Sequence, residues 1–135
     1  MGILKVTRIT NKDANFYPLL GPFLSRRDIV SELGSPVWDD EGKEWFVAKR
    51  GRKVAGFAAV RTVGKHVSLV SAYVLPPFRG LGVYRELIEA RLDAINVVTT
   101  QDIRATATAA AVPALTRAGF KSVGARGSYT QMVLK

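Results

Sequence analysis

Arg79, Gly80, Gly82 and Arg85 are the residues whose types and spacing could do chemistry first. Glycines permit close approach to the backbone. If a helix begins beside them, its first N–H groups lack intrahelical acceptors and carry the positive end of the helix dipole. Two arginines add fixed charge. Together these features form an anion site suited to phosphate. The same residues also read as an ordinary glycine-capped connection, since short glycine motifs are weakly specific. Nearby stand groups that can move protons: Tyr84 within the stretch, Tyr73 just before it, and His66, Ser68 and Ser71 further back. Histidine is the side chain that ordinarily changes charge in the useful range, although a lone histidine beside a turn, as at His66, is more often a surface residue.

The flanking pattern supplies the elements that must position these groups. Residues 66–75 are rich in β-branched and aromatic side chains and read as a strand. Pro76 and Pro77 stop it, because neither can donate a ladder hydrogen bond. After the turn, apolar residues recur at Val83, Leu87, Ala90 and Ala94 and at Tyr84, Ile88, Leu92 and Ile95, one broad face of a helix over about residues 82–96.

The segment 74–84 resembles the acyl-CoA-binding motif of the GNAT superfamily of N-acyltransferases, Arg/Gln-x-x-Gly-x-Gly/Ala after a Val-x-Pro-x-Tyr/Phe strand end. Arg79 and Gly82 match, and Tyr84 stands where the family has Gly or Ala. A second stretch, residues 114–120, resembles the family's helix ending in Tyr-x-x-x-Gly-Phe. Arg117, Gly119 and Phe120 fit. Leu115 replaces the tyrosine that often serves as general acid, and Thr108 replaces a frequent asparagine.

The resemblance implies acetyl-CoA as acyl donor and direct attack of an acceptor amine on the thioester. It places the pyrophosphate on Arg79, Gly80, Leu81, Gly82, Val83, Tyr84 and Arg85. It aligns the pantetheine arm on Val74 and Leu75, with one backbone N–H there polarising the thioester carbonyl. With leucine at 115 and no glutamate on the central strand, Tyr84 and Tyr73 are the candidate catalytic groups, with Thr108 as another source of acid help. The missing tyrosine and glutamate also leave open a non-catalytic module that binds CoA or another anion.

The chain of 135 residues is long enough for one domain with a real core, taken here as residues 1–135. It has no cysteine and one histidine, which excludes disulfides and a thiol nucleophile and disfavours zinc. No run is long enough to span a membrane, and the start lacks the pattern of a secretion signal, so a cytoplasmic protein is the expectation. Net charge is +9, with +6 carried by residues 61–135. That excess suits CoA phosphates. It also admits a nucleic-acid acceptor, since a basic surface attracts polyanions.

The rest of the pattern predicts a strand over residues 3–9 and a short helix ending where Gly21-Pro22 interrupts it. A second helix is expected over 23–33, then an acidic loop, 35–42, containing Trp38. Strands follow at 44–50, 54–63, 66–75 and 102–109, then a helix at 110–118 with Pro113 in its first turn, and strands at 120–125 and 129–134. The expected fold is α+β: a GNAT-like, mostly antiparallel, splayed sheet of six or seven strands with about four helices. In such a fold the first two helices line the acceptor side. A homodimer is admitted if the strand 129–134 lies at a sheet edge.

Overall fold

The computed structural model describes residues 4–10, 12–14, 16–24, 26–27, 29, 43–95, 102–127 and 129–134. Their elements are β1 (Leu4–Ile9), α1 (Phe16–Leu24), β2 (Lys43–Arg50), β3 (Lys53–Val63), β4 (His66–Val74), a 3₁₀ turn (Pro76–Phe78), α2 (Val83–Ala94), β5 (Asp102–Ala107), α3 (Val112–Arg117), β6 (Lys121–Arg126) and β7 (Tyr129–Leu134). The sheet has seven strands in the order β1-β2-β3-β4-β5-β7-β6. Neighbours are antiparallel except β4 and β5, which run parallel and are bridged by α2. The fold is the expected α+β arrangement, and apart from α1 the ends of the described elements lie within about two residues of those read from periodicity.

Alternation along the strands builds two cores, because successive side chains point to opposite faces. Phe46, Ala48, Ala58 and Val60 meet Val83, Leu87 and Ile88 of α2 and Leu115 of α3. Trp45, Val47, Phe57 and Ala59 meet Phe16 and Leu20 of α1 on the other face. The rings of Phe16, Trp45, Phe57 and Tyr73 follow one another at 6.0–6.2 Å.

Two expectations are corrected. Pro22 lies inside α1 rather than ending it. Its missing N–H removes one intrahelical bond, and the helix closes two residues later. The strand β7 is not at an edge: β5 and β6 pair with its two sides. The edge strand there is β6, whose register slips between Ser122 and Gly124. That slip, with Lys121 and Arg126 at its ends, blunts pairing with another chain. The helix expected over 23–33 and the loop at 35–42, with Trp38 and the acidic residues 39–41, lie wholly or mostly outside the described residues.

The parallel pair is clasped at its base. Asp102 Oδ1 lies 2.9 Å from His66 Nδ1, and Arg104 Nε donates to Asp102 Oδ2 at 3.0 Å. The bond to His66 and the neighbouring Arg104 hold the Asp102 carboxyl below its usual 3.8. A depressed folded-state pKa gives stability that is full above 3.8 and lost as pH falls through the lower folded value. We therefore expect Asp102→Asn to flatten the loss of thermal stability below pH 4, read from melting temperatures across an acid series. His66 thus serves this clasp. It sits eight residues before Val74, roughly 26 Å along the strand from that residue.

Candidate donor site

Strands β4 and β5 pair from His66–Asp102 to Leu69–Ala105 and no further, although β4 continues to Val74 and β5 to Ala107. Beyond that point they splay, and a V-shaped gap opens between their C-terminal ends. A bulge in β4 begins at the same level. Ser71 has φ 56, and the register with β3 slips between Val70, opposite Ala59, and Tyr73, opposite Phe57. One inserted residue flips every following side chain to the other face. Val67 and Leu69 pack toward α2, yet Tyr73 packs with Trp45 and Phe57 on the α1 side, and Val74 returns to the α2 side.

The bulge also decides which backbone groups face the gap. The N–H of Leu75 donates to Ala55 O at 2.9 Å, so it points to β3. N–H groups alternate along a strand, so those of Val74 point across the gap toward β5. Leu75 is spent on both sides, since its carbonyl accepts from Phe78 N–H at 2.9 Å. With both its N–H and its carbonyl engaged, Leu75 does not offer the backbone bonds expected of it toward a pantetheine arm, whereas Val74 directs its N–H into the gap. Room for this geometry depends on Gly56, opposite Val74: a Cβ there would stand 2.6 Å from Tyr73 O.

The turn beyond β4 takes left-handed backbone at Gly80 (φ 79) and Gly82 (φ 81). Gly82 caps α2, and its carbonyl takes the first helical bond, from Glu86 N–H at 3.1 Å. Helix geometry leaves the N–H groups of Val83 and Arg85 without an acceptor inside the helix. They open on a cavity of about 250 Å³ lined by Val74, Phe78, Arg79, Gly80, Gly82, Val83, Tyr84, Arg85 and, from the α3 side, Ala110, Pro113, Ala114 and Arg117. Three arginines and no carboxylate line it among the described residues.

The structure thus brings Val74, Arg79, Gly80, Gly82, Val83, Tyr84 and Arg85 to one cavity. Leu81 is half exposed and its side chain stands off the wall. Arg79 folds back: its Nε donates to Val74 O at 2.9 Å and its guanidinium lies 5.4 Å from the Tyr73 ring centre. Tyr73 is buried beneath it and does not line the cavity, which separates the two candidate tyrosines. Leu115 is buried in the core, so no proton donor stands at that position. Thr108 lies in the turn that leads into α3, its carbonyl accepting from Ala111 and Val112 N–H. The helix ends on Phe120 N–H to Leu115 O at 3.0 Å and Gly119 N–H to Thr116 O at 3.1 Å, a Schellman closure.

In the sequence Arg117 is a match to the second motif and carries no mark of a site residue. Its place across the cavity from α2 depends on the packing of α3, which local sequence does not show. A charge-assisted bond to a phosphate is worth about 1.4 kcal/mol or more, tenfold in affinity. We expect Arg117→Ala to weaken CoA binding about tenfold in a calorimetric titration and to reduce its salt sensitivity.

A family model described as the acetyltransferase (GNAT) domain matches residues 27–132. The chain belongs to the GNAT acetyltransferase family. Solved structures agree on the fold of this GNAT protein. ElaA of Escherichia coli superposes with a TM-score of 0.77 at 14% identity, covering 98% of this chain and 100% of that one. An acyl-CoA N-acyltransferase from Pseudomonas aeruginosa gives 0.74 at 19% identity, with 98% and 100% covered. The PaiA N-acetyltransferase of Thermoplasma acidophilum, solved in complex with coenzyme A, gives 0.68 at 11% identity, with 98% and 99% covered. A search of curated proteins returned no match. No helix among the described residues is long and apolar enough to cross a membrane.

Proposed function

We propose that this GNAT protein transfers an acetyl group from acetyl-CoA to an acceptor amine by direct attack on the thioester. The observation that carries the reading is the coincidence of two openings. The gap between β4 and β5 begins after Leu69 and Ala105 and leads to a cavity where helix N–H groups, Arg79, Arg85 and Arg117 converge. This donor set fits a diphosphate: N–H groups at a helix start and three arginines, of which Arg85 also lies 3.7 Å from Glu86 Oε1 on the exposed side of α2. The Thermoplasma relative was solved with coenzyme A, which supports the same ligand class here.

The donor supplies an activated acetyl group as a thioester. The chain's residues would do the rest. Val83, Arg85 and the arginines anchor the phosphates, and Val74 N–H holds the pantetheine arm along the free edge of β4. Holding donor and amine in one geometry provides much of the rate. Tyr84, half-buried on the cavity wall, is our candidate for the group that gives a proton to the leaving sulfur. The acceptor enters from outside this cavity. The net charge of +9 keeps amines bound to nucleic acid within its range.

A second reading, a module that binds CoA without transferring from it, draws on the buried Leu115 where a tyrosine acid is expected. One experiment serves both. Calorimetric titration with acetyl-CoA and with CoA is expected to show micromolar binding. A mass-spectrometric screen of small amines, peptides and oligonucleotides then separates transfer from binding alone. A folded protein that binds neither ligand would overturn both readings.

A further inference from the structure

The tip of the β2-β3 hairpin gathers positive charge that the fold leaves unpaired. Its two-residue turn, Gly51-Arg52, is closed by Gly51 at φ 64. Lys49 stands directly opposite Lys5 of β1, and Lys53 directly opposite Arg50. Arg52 occupies the turn itself. Like charges directly opposite one another on a sheet are destabilising. No carboxylate among the described residues pairs with Lys5, Lys49, Arg52 or Lys53. The ion pairs between described residues lie elsewhere, at Arg8 and Glu44, at the Asp102 clasp and at Arg85 and Glu86. A lysine on an edge strand discourages pairing with another chain. That accounts for Lys5 on β1 and not for Lys49 or Lys53, whose strands lie inside the sheet.

Alternation carries this charge around a ridge. Lys49 and Lys5 continue the row of Trp45 and Val47, on the face covered by α1. Arg50 pairs with both Leu4 and Lys53, and Leu4 packs on the α2 side, so Lys53 belongs to the opposite face. The ridge borders the donor site. Leu75 N–H donates to Ala55 O at 2.9 Å, two residues after Lys53, and the 3₁₀ turn that leads to Arg79 packs on β3. The tip therefore stands at the end of the sheet where the gap and the cavity open.

The chemistry of the ridge selects its partner. Folded proteins recognise one another through apolar and aromatic anchors at the centre of the interface. Among the described residues the large exposed hydrophobics are Leu81 and Val123, and neither lies in this hairpin. Charge without an apolar anchor fits a phosphodiester backbone, whose sequence-independent binding rests on lysine and arginine contacts to phosphates. A bilayer is flat and would meet one face of the ridge, whereas a flexible single strand bends over both.

We propose that the β2-β3 tip, through Lys5, Lys49, Arg52 and Lys53, binds the phosphodiester backbone of a single-stranded nucleic acid and so brings an acceptor amine to the gap beside the donor. The role in presenting an acceptor rests on reading the cavity as the donor site; the binding surface does not.

The test is fluorescence anisotropy of the intact protein with labelled single-stranded oligonucleotides of mixed sequence, across a salt series. Lys49→Gln/Arg52→Gln/Lys53→Gln is compared with Arg61→Gln/Lys65→Gln/Lys121→Gln, which removes the same charge from exposed positions elsewhere. The hairpin variant should bind about tenfold or more weaker near about 0.1 M salt, and its slope of log affinity on log salt should be shallower by about 2, from about 0.7 per phosphate contact. The control variant should keep the wild-type slope to within about 0.7. Equal losses in the two variants, or no oligonucleotide binding by folded wild type, would overturn the proposal. Phosphatidylserine vesicles or polyglutamate held through the same residues as tightly as the oligonucleotide would overturn the choice of partner. Acetyl-CoA titration reports separately on the donor reading. Oligonucleotide binding by a protein that takes no acetyl-CoA would leave the surface standing and overturn its role in presenting an acceptor.

Discussion

Replacing Gly82 with tryptophan is expected to abolish binding of acetyl-CoA and CoA. Gly82 holds φ 81 and ψ 15 at the start of α2, a left-handed conformation that disfavours any side chain by about 1–2 kcal/mol. Its position makes the substitution worse than strain alone. A Cβ would stand 3.5 Å from the Arg85 guanidinium, and the indole beyond it would compete for the cavity that Gly82 lines. Crowding these cationic groups and the helix N–H groups should lower affinity by a factor of about 100 or more, near 2.7 kcal/mol. Gly64→Ala is the matched control. Gly64 also has positive φ, at 60, but a Cβ there meets nothing within 4 Å. It should show comparable backbone strain in a thermal melt and undiminished titration with CoA. Binding that survives in folded Gly82→Trp would remove the glycine turn from the donor site.

What the sequence revealed and concealed follows the range of the interactions concerned. The turn at residues 79–82 was legible because its determinants are local: two prolines end a strand, two glycines take left-handed backbone, and an apolar periodicity starts at Val83. The meander β2-β3-β4 was legible for the same reason. The splay was expected from family resemblance, but its starting point after Leu69 and Ala105 was not, since it depends on pairing between strands far apart in sequence. Nor was the bulge at Ser71, a non-glycine residue at φ 56 that no local pattern marks. That bulge is why Tyr73 turns away from the cavity while Val74 faces the gap. The burial of Arg91 is not legible from its residue type, because an arginine reads as exposed. Its spacing held the clue: it stands four residues after Leu87 and three after Ile88, at a core position of the helix.

Gly56→Ala should weaken CoA binding without a single atom of the donor site being replaced. Gly56 lies in β3 opposite Val74, and a Cβ built on it would stand 2.6 Å from Tyr73 O and 3.2 Å from the Val74 Cα. Both neighbours are main chain and cannot rotate away, unlike the Val83 methyl at 3.3 Å. The end of β4 must therefore move. Val74 would carry with it the N–H directed across the gap and the carbonyl that anchors Arg79 at 2.9 Å. Overpacking of this kind destabilises by about 1–3 kcal/mol, so the melting temperature should fall. Affinity for CoA measured well below the melt should fall about tenfold, because a small displacement misaligns a held ligand. Gly124→Ala separates position from general strand damage. A Cβ there meets Gln131 Oε1 at 3.7 Å, an ordinary contact on the edge strand, and the change should alter stability by no more than about 0.5 kcal/mol with binding intact. Full CoA affinity in a folded Gly56→Ala protein would mean that the end of β4 does not position the donor. The site would then reduce to the anion cradle at the head of α2.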